Sequence, residues 1–164
     1  MSRTQESSSD EFKIVTFTLD RQMFGVDMRS LIEIREWEEP TPLPGVPPYI
    51  KGVTNLRGSV VPVVGLAERL GWRPSPIHSR SCILVVNVRD KQTGFLVDEL
   101  ADIVAINASD IQPAPDAGVG DENVVSGLVR IERRSLDSEE TEAMVLLLDL
   151  GALGLSRPLG DLAA

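Results

Sequence analysis

Arg57 has the side chain best placed for recognition chemistry. It precedes Gly58 between two apolar runs, residues 51–56 and 59–64. That spacing predicts a hairpin with Arg57 and Gly58 at its tip. A guanidinium presents five donors in a planar fork and can hold a partner's carboxylate or carbonyl. The competing reading is a salt bridge within the chain, although Arg57 has no acidic neighbour in sequence. Asn55 reads differently, because Asn in a tight turn usually bonds its own backbone. Glu33 and Arg35 alternate with Ile32 and Ile34. On an edge strand this pattern is either polar specificity around an apolar contact or a solvated face.

Catalytic chemistry finds little support. His78 is the sole histidine, and Ser79 and Asp90 complete a triad only on paper, without a nucleophile-elbow motif. Asp27 and Asp98 stand too far apart to read as a catalytic pair, and solvation at turn ends is the better account. No His/Cys/Asp spacing suits a metal, and no glycine-rich loop cradles a phosphate. No cofactor is expected. Cys82, the only cysteine, sits in an apolar run and reads as a small buried hydrophobe.

Charge excludes further classes. The net charge of −9 removes the basic stripe that nucleic acids or anionic membranes require. The cluster Arg130, Arg133 and Arg134 is flanked by Glu132, Asp137, Glu139 and Glu140, and reads as a solvated loop. Apolar runs such as 143–148 fall short of the roughly 20 residues that cross a bilayer. With no signal peptide in view, the expected location is cytoplasmic.

The elements that must position these residues are mostly strands. Aromatics are only 4% of the chain, so Val, Ile and Leu must build the core, and branched side chains suit pleated surfaces. Residues 1–10 are polar and expected to be disordered. Strands are expected at 12–19 and 23–28, around a turn at 20–22, with extended structure from Leu31 to Trp37. The proline-rich stretch 38–48 is a loop that excludes a central strand, and 43–49 is expected to close a barrel end. A short helix at 66–70 follows the hairpin and stops at Gly71. Residues 73–80 form a linker. Further strands are expected at 81–88, 92–97, 103–106, 124–131 and 144–148. Loops are expected at 113–121 and at 132–142, the latter acidic and mobile. A short helix interrupted by Gly151 and Gly154 follows Asp149.

The two halves resemble each other. Arg21-Gln22, Val26-Asp27, Leu31-Ile32 and Ile34 match Lys91-Gln92, Val97-Asp98, Ile103-Val104 and Ile106. Each half closes on a strand and a leucine, Leu66 or Leu150. A unit this small buries little core alone, and five strands avoid open edges by curling. The expected fold is all-β: two small SH3-like five-stranded barrels packed together, with one or two short helices. The crease between them is a natural groove for a partner helix or hairpin.

With these features in place the chain resembles the CheW family. The resemblance rests on Glu33-Ile34-Arg35, the proline loop, Tyr49 through Gly58 with its Asn55-Leu56-Arg57-Gly58, and Val60-Val61-Pro62-Val63-Val64. Gly94-Phe95-Leu96-Val97-Asp98 and Ile111-Gln112-Pro113-Ala114-Pro115 extend it. One departure is Gly65, where the family usually has a helix-capping Asp; the second repeat keeps Asp149. The resemblance implies a CheW-like domain over 11–155, with subdomains 11–72 and 81–150, strand exchange between them allowed, and a tail at 156–164. It implies a monomeric, non-catalytic adaptor recruited to chemoreceptor arrays. The implied partners are the cytoplasmic tip of methyl-accepting chemoreceptors and the CheW-like regulatory domain of the histidine kinase CheA. Arg57, Glu33, Ile32, Ile34, Arg35, Asn55 and Gly58 are the implied partner-binding set. Twitching motility and other chemosensory pathways use similar adaptors. An enzyme at the barrel interface lacks motifs, and a free-standing SH3-like peptide binder lacks an aromatic groove.

Overall fold

The computed structural model describes residues 10–114, 124–134 and 140–153. The expectations for 1–9, most of 113–121, Gly154 and the tail lie outside these residues. Among the described residues eleven strands form two sheets. The strands are β1 (Glu11–Leu19), β2 (Gln22–Asp27), β3 (Leu31–Glu36), β4 (Ile50–Leu56), β5 (Ser59–Gly65), β6 (Cys82–Val88), β7 (Lys91–Val97), β8 (Glu99–Asn107), β9 (Gln112–Pro113), β10 (Val125–Arg134) and β11 (Glu140–Leu148). Two short helices, α1 (Leu66–Arg69) and α2 (Leu150–Leu153), follow β5 and β11.

The all-β architecture matches expectation, but the pairing differs in detail. The first sheet runs β8-β1-β2-β11-β10-β9 and the second β3-β6-β7-β5-β4. Among the described residues neither hydrogen-bonded order returns to its starting strand, so neither barrel is closed by a continuous ladder. In the second sheet the gap is spanned beyond β3, where Thr41 and Val53 exchange two backbone hydrogen bonds of 2.8 Å. Gly52 permits this approach. Its φ is +145°, and a Cβ there would stand 2.2 Å from the Thr41 carbonyl oxygen.

Each sheet draws on both halves of the chain. The β1–β2 hairpin lies between β8 and β11, and the β6–β7 hairpin lies between β3 and β5. The repeat is therefore real, but its register differs from the sequence alignment. The turn Asp20-Arg21 matches Arg89-Asp90, each with both residues at positive φ, so Gln22 already belongs to the strand. Counting from these turns, Gly25 maps onto Gly94, Leu31 onto Leu100 and Ile34 onto Ile103. Ile34 faces Leu84 across β3–β6, and Ile103 faces Val15 across β1–β8. The sequence alignment runs one to three residues beyond this register, because closely spaced apolar residues in both halves can be matched at several offsets.

The acidic connection at 132–142 is also partly strand. The β10–β11 ladder continues to the pair Arg134 and Glu140. Arg130, expected in a loop, lies on β10, 3.9 Å from Glu142.

Three apolar clusters form the core. A central one between the sheets includes Phe17, Phe24, Leu84, Phe95 and Leu153. A second, on the first sheet, includes Ile14, Met23, Val129 and Val145. A third, on the second sheet, includes Leu56, Val61, Ile83 and Val85, with Trp37 packed against it. Cys82 belongs to the central cluster, as expected, and burial pushes its thiol up to about 11.

Candidate functional site

The β4–β5 turn carries Arg57 at φ 53° and Gly58 at φ 88°. Two central residues in the left-handed region give the turn the twist of the strands it joins. Asn55 Oδ1 accepts a hydrogen bond from the Gly58 N–H at 2.9 Å. Asn55 thus shapes the turn, as its residue type suggested, and the turn carries Arg57 outward with 78% of its side chain exposed.

Edge strand β3 meets this turn through side chains. Glu33 pairs with Val85 and Arg35 with Ile83, so both charged residues share a face with the second-sheet cluster and are partly covered. Ile34 pairs with Leu84 of the central core, yet remains 40% exposed at the sheet edge. Ile32 is 39% exposed. The strand therefore shows apolar residues to solvent and holds charged ones against the protein.

The charges form a loose chain. Arg57 Nη2 lies 3.7 Å from Glu33 Oε2, Arg35 Nη1 lies 3.8 Å from Glu33 Oε1, and Arg35 Nη2 lies 3.7 Å from Glu38 Oε2. All three separations exceed hydrogen-bond length. Glu33 Oε1 is buried and has no hydrogen-bond partner among the described residues. Glu33, Arg35, Glu36, Trp37 and Glu38 line a shallow recess. The structure thus brings Arg57, Glu33 and Arg35 together. Their apposition was not legible in sequence, because Glu33 and Arg57 meet only after both edges of one sheet are placed. Glu38 and Trp37 were also missed, and their place just beyond Glu33-Ile34-Arg35, with only Glu36 between, was the available signal.

The crease between the sheets mixes polar and apolar groups, with Val88, Leu148 and Leu150 among its lining. Asp27, Ser30, Asn87, Arg89, Ser126, Asp149 and Gly151 contribute to it. Asp27 and Asp98 are not merely solvated turn ends. Asp27 accepts from the Arg29 backbone N–H and from its guanidinium, and these bonds hold the carboxyl below its usual range against partial burial. Asp98 Oδ2 accepts the Asp20 N–H at 2.7 Å. The Gly65 departure has the expected consequence: α1 has no side-chain cap, whereas Asp149 Oδ1 accepts the Gly151 N–H at 2.9 Å before α2. An ion pair between Lys51 and Glu68 occupies the space beside Gly65. Among the described residues no group of three His, Cys, Asp or Glu could hold a metal ion. His78 Nδ1 accepts from the Arg80 N–H.

Comparison with known proteins is consistent along the chain. The model of the CheW-like domain matches residues 13–156. The chain is 37% identical to a probable chemotaxis protein CheW of Rhizobium etli over 133 residues, covering 80% of this chain and 86% of that protein. It is 33% identical to the chemotaxis protein CheW of Bacillus subtilis, over 81% of this chain and 86% of that protein. Protein PilI of Pseudomonas aeruginosa is 31% identical over 58% of this chain and 54% of its own length. The crystal structure of the scaffolding protein TtCheW from Thermoanaerobacter tengcongensis superposes with a TM-score of 0.73 at 27% identity, covering 87% of this chain and 91% of that one.

Proposed function

The chain belongs to the CheW family of scaffold proteins, and from that premise we propose that it couples the cytoplasmic tip of methyl-accepting chemoreceptors to the regulatory domain of the kinase CheA. It acts by holding its partners together and performs no chemistry. The observation that carries this reading is Arg57: a guanidinium presented on a rigid turn, mostly exposed and without a short hydrogen bond to Glu33. Arg57 and Glu33 supply charge recognition, Arg35 shares Glu33, and exposed Ile32 and Ile34 supply apolar contact at the sheet edge. Asn55 and Gly58 shape the turn. No described helix is long and apolar enough to cross a membrane.

Calorimetric titration with the cognate CheA regulatory domain tests the proposal. Saturable binding near one-to-one is expected, followed by receptor-dependent kinase activation when all three proteins are mixed. Absence of heat and of co-elution at high micromolar concentration overturns it. The likeness to PilI supports a second reading, service in a pathway other than swimming chemotaxis. Comparing the partners captured from chemotaxis and pilus-associated kinases separates the two.

A further inference from the structure

The interleaving of the two halves has a consequence for self-association. Each hairpin is flanked on both sides by strands of the other half: β1 pairs with β8, β2 with β11, β6 with β3 and β7 with β5. The central cluster likewise mixes residues from both halves. One connection joins the halves, from α1 to β6. Residues 71–80 are exposed apart from partly covered Ser75, and they contain no helix or strand. Trp72 is held at one end, its ring 5.5 Å from Phe24, and Arg80 at the other, 2.7 Å from Glu99. Pro74 and Pro76 stiffen the path between.

We propose that two copies of this chain exchange halves through the 73–80 connection, forming a dimer with two complete double-sheet units. The first half of each copy then pairs with the second half of the other. Every ladder and the central core re-form with the same residues, and only the connection changes course. The partner is a second copy of this chain, because no other surface offers the same four ladders. The balance between monomer and dimer rests on effective concentration. A short linker holds its ends at a local concentration on the order of millimolar, so exchange is minor at micromolar chain and competitive near millimolar. A linker that cannot span its ends removes the monomer altogether. The exchanged dimer presents two Arg57 patches and is a bivalent form of the adaptor.

Full-length chains in a Cys82→Ala background, each bearing one introduced cysteine, test this directly. Met23 and Val145 are paired across the parallel β2–β11 ladder. One chain carries Met23→Cys and the other Val145→Cys. The two are mixed in denaturant, refolded and oxidised. Exchange predicts a disulfide between the two chains at about 1 mM protein, in a fraction of chains roughly 25-fold larger than at about 10 μM. A single chain carrying both substitutions reports that the positions can bridge. If that control bridges while the mixture yields no interchain product at about 1 mM, the proposal is overturned. Deleting residues 74–77 should make the dimer dominant at about 10 μM by light scattering, with an unchanged β-type circular dichroism spectrum. A folded, monomeric deletion variant also overturns it. If the deletion variant does not fold, the cysteine mixture decides alone.

Discussion

Replacing Arg57 by alanine separates a recognition residue from a structural one. Its side chain is 78% exposed and makes one charged contact, 3.7 Å from Glu33. Exposed ion pairs contribute about 0.2–1 kcal/mol, and one beyond hydrogen-bond length belongs at the low end. Glu33 keeps a second cation in Arg35 at 3.8 Å, which reduces the loss further. The residue stays at φ 53°, and alanine bears the same left-handed penalty as arginine, so the backbone cost cancels. The sum is about 0.5 kcal/mol, a melting shift of about 1–2 °C for a chain of this size. At an interface the same truncation commonly costs about 2 kcal/mol, close to thirtyfold in affinity. Lysine should restore charge but not the planar fork, and rescue only in part. Glu33→Gln should weaken binding less than Arg57→Ala, because it removes one recognition charge but leaves Arg57 in place. The assay pairs thermal melting with receptor-dependent kinase activation for wild type, Arg57→Ala, Arg57→Lys and Glu33→Gln. A drop in melting temperature above about 5 °C for Arg57→Ala would show that Arg57 is a structural partner of Glu33. Normal melting with normal activation would refute its role in recognition.

Three further outcomes follow from the fold. Thr16→Val should cost about 1–3 kcal/mol in urea denaturation, because buried Thr16 Oγ1 donates to the Asp102 carbonyl at 2.8 Å and accepts its N–H at 2.9 Å where the β1–β8 register shifts. An unchanged midpoint would mean water replaces both bonds. Gly52→Ala should cost about 2–4 kcal/mol and loosen the Thr41–Val53 bridge, seen as faster amide exchange at both residues. Cys82 should react with iodoacetamide at pH 8 about a hundredfold more slowly in the native than in the unfolded chain, since burial raises its thiol to about 11. Because the folded pKa is the higher one, the stabilising contribution is whole below about pH 8.5 and is lost as pH rises toward 11. Equal denaturation midpoints at pH 8 and pH 10.5 would contradict that linkage.

Local features of the fold were legible because they depend on neighbours in the chain. The Arg57-Gly58 hairpin, the proline loop, the end of α1 before Gly71 and the burial of Cys82 each follow from residues within one turn of one another. Pairing between distant segments was legible only in kind. The repeat announced two similar units, yet its apolar pattern left the register free, and Leu31 aligns with Leu100 rather than with Ile103. Apolar residues on both faces of these strands leave several offsets open, which only the cross-strand partners settle.

The candidate site shows the same limit more sharply. Ile32 and Ile34 read as one face of a strand and Glu33 and Arg35 as the other, which is correct. Sequence could not say which face looks outward, and ordinary expectation would bury the isoleucines. The structure leaves Ile34 at the edge of the central core because β3 pairs only with β6 among the described strands, while Glu33 and Arg35 turn toward Trp37 and Arg57. An open edge with exposed β-branched residues promotes unwanted pairing unless something covers it. The loose charges on the other face do not cover it. The exposed isoleucines of β3 and the charged group at the Arg57 turn therefore lie on opposite faces of the same edge strand, one apolar and one ionic.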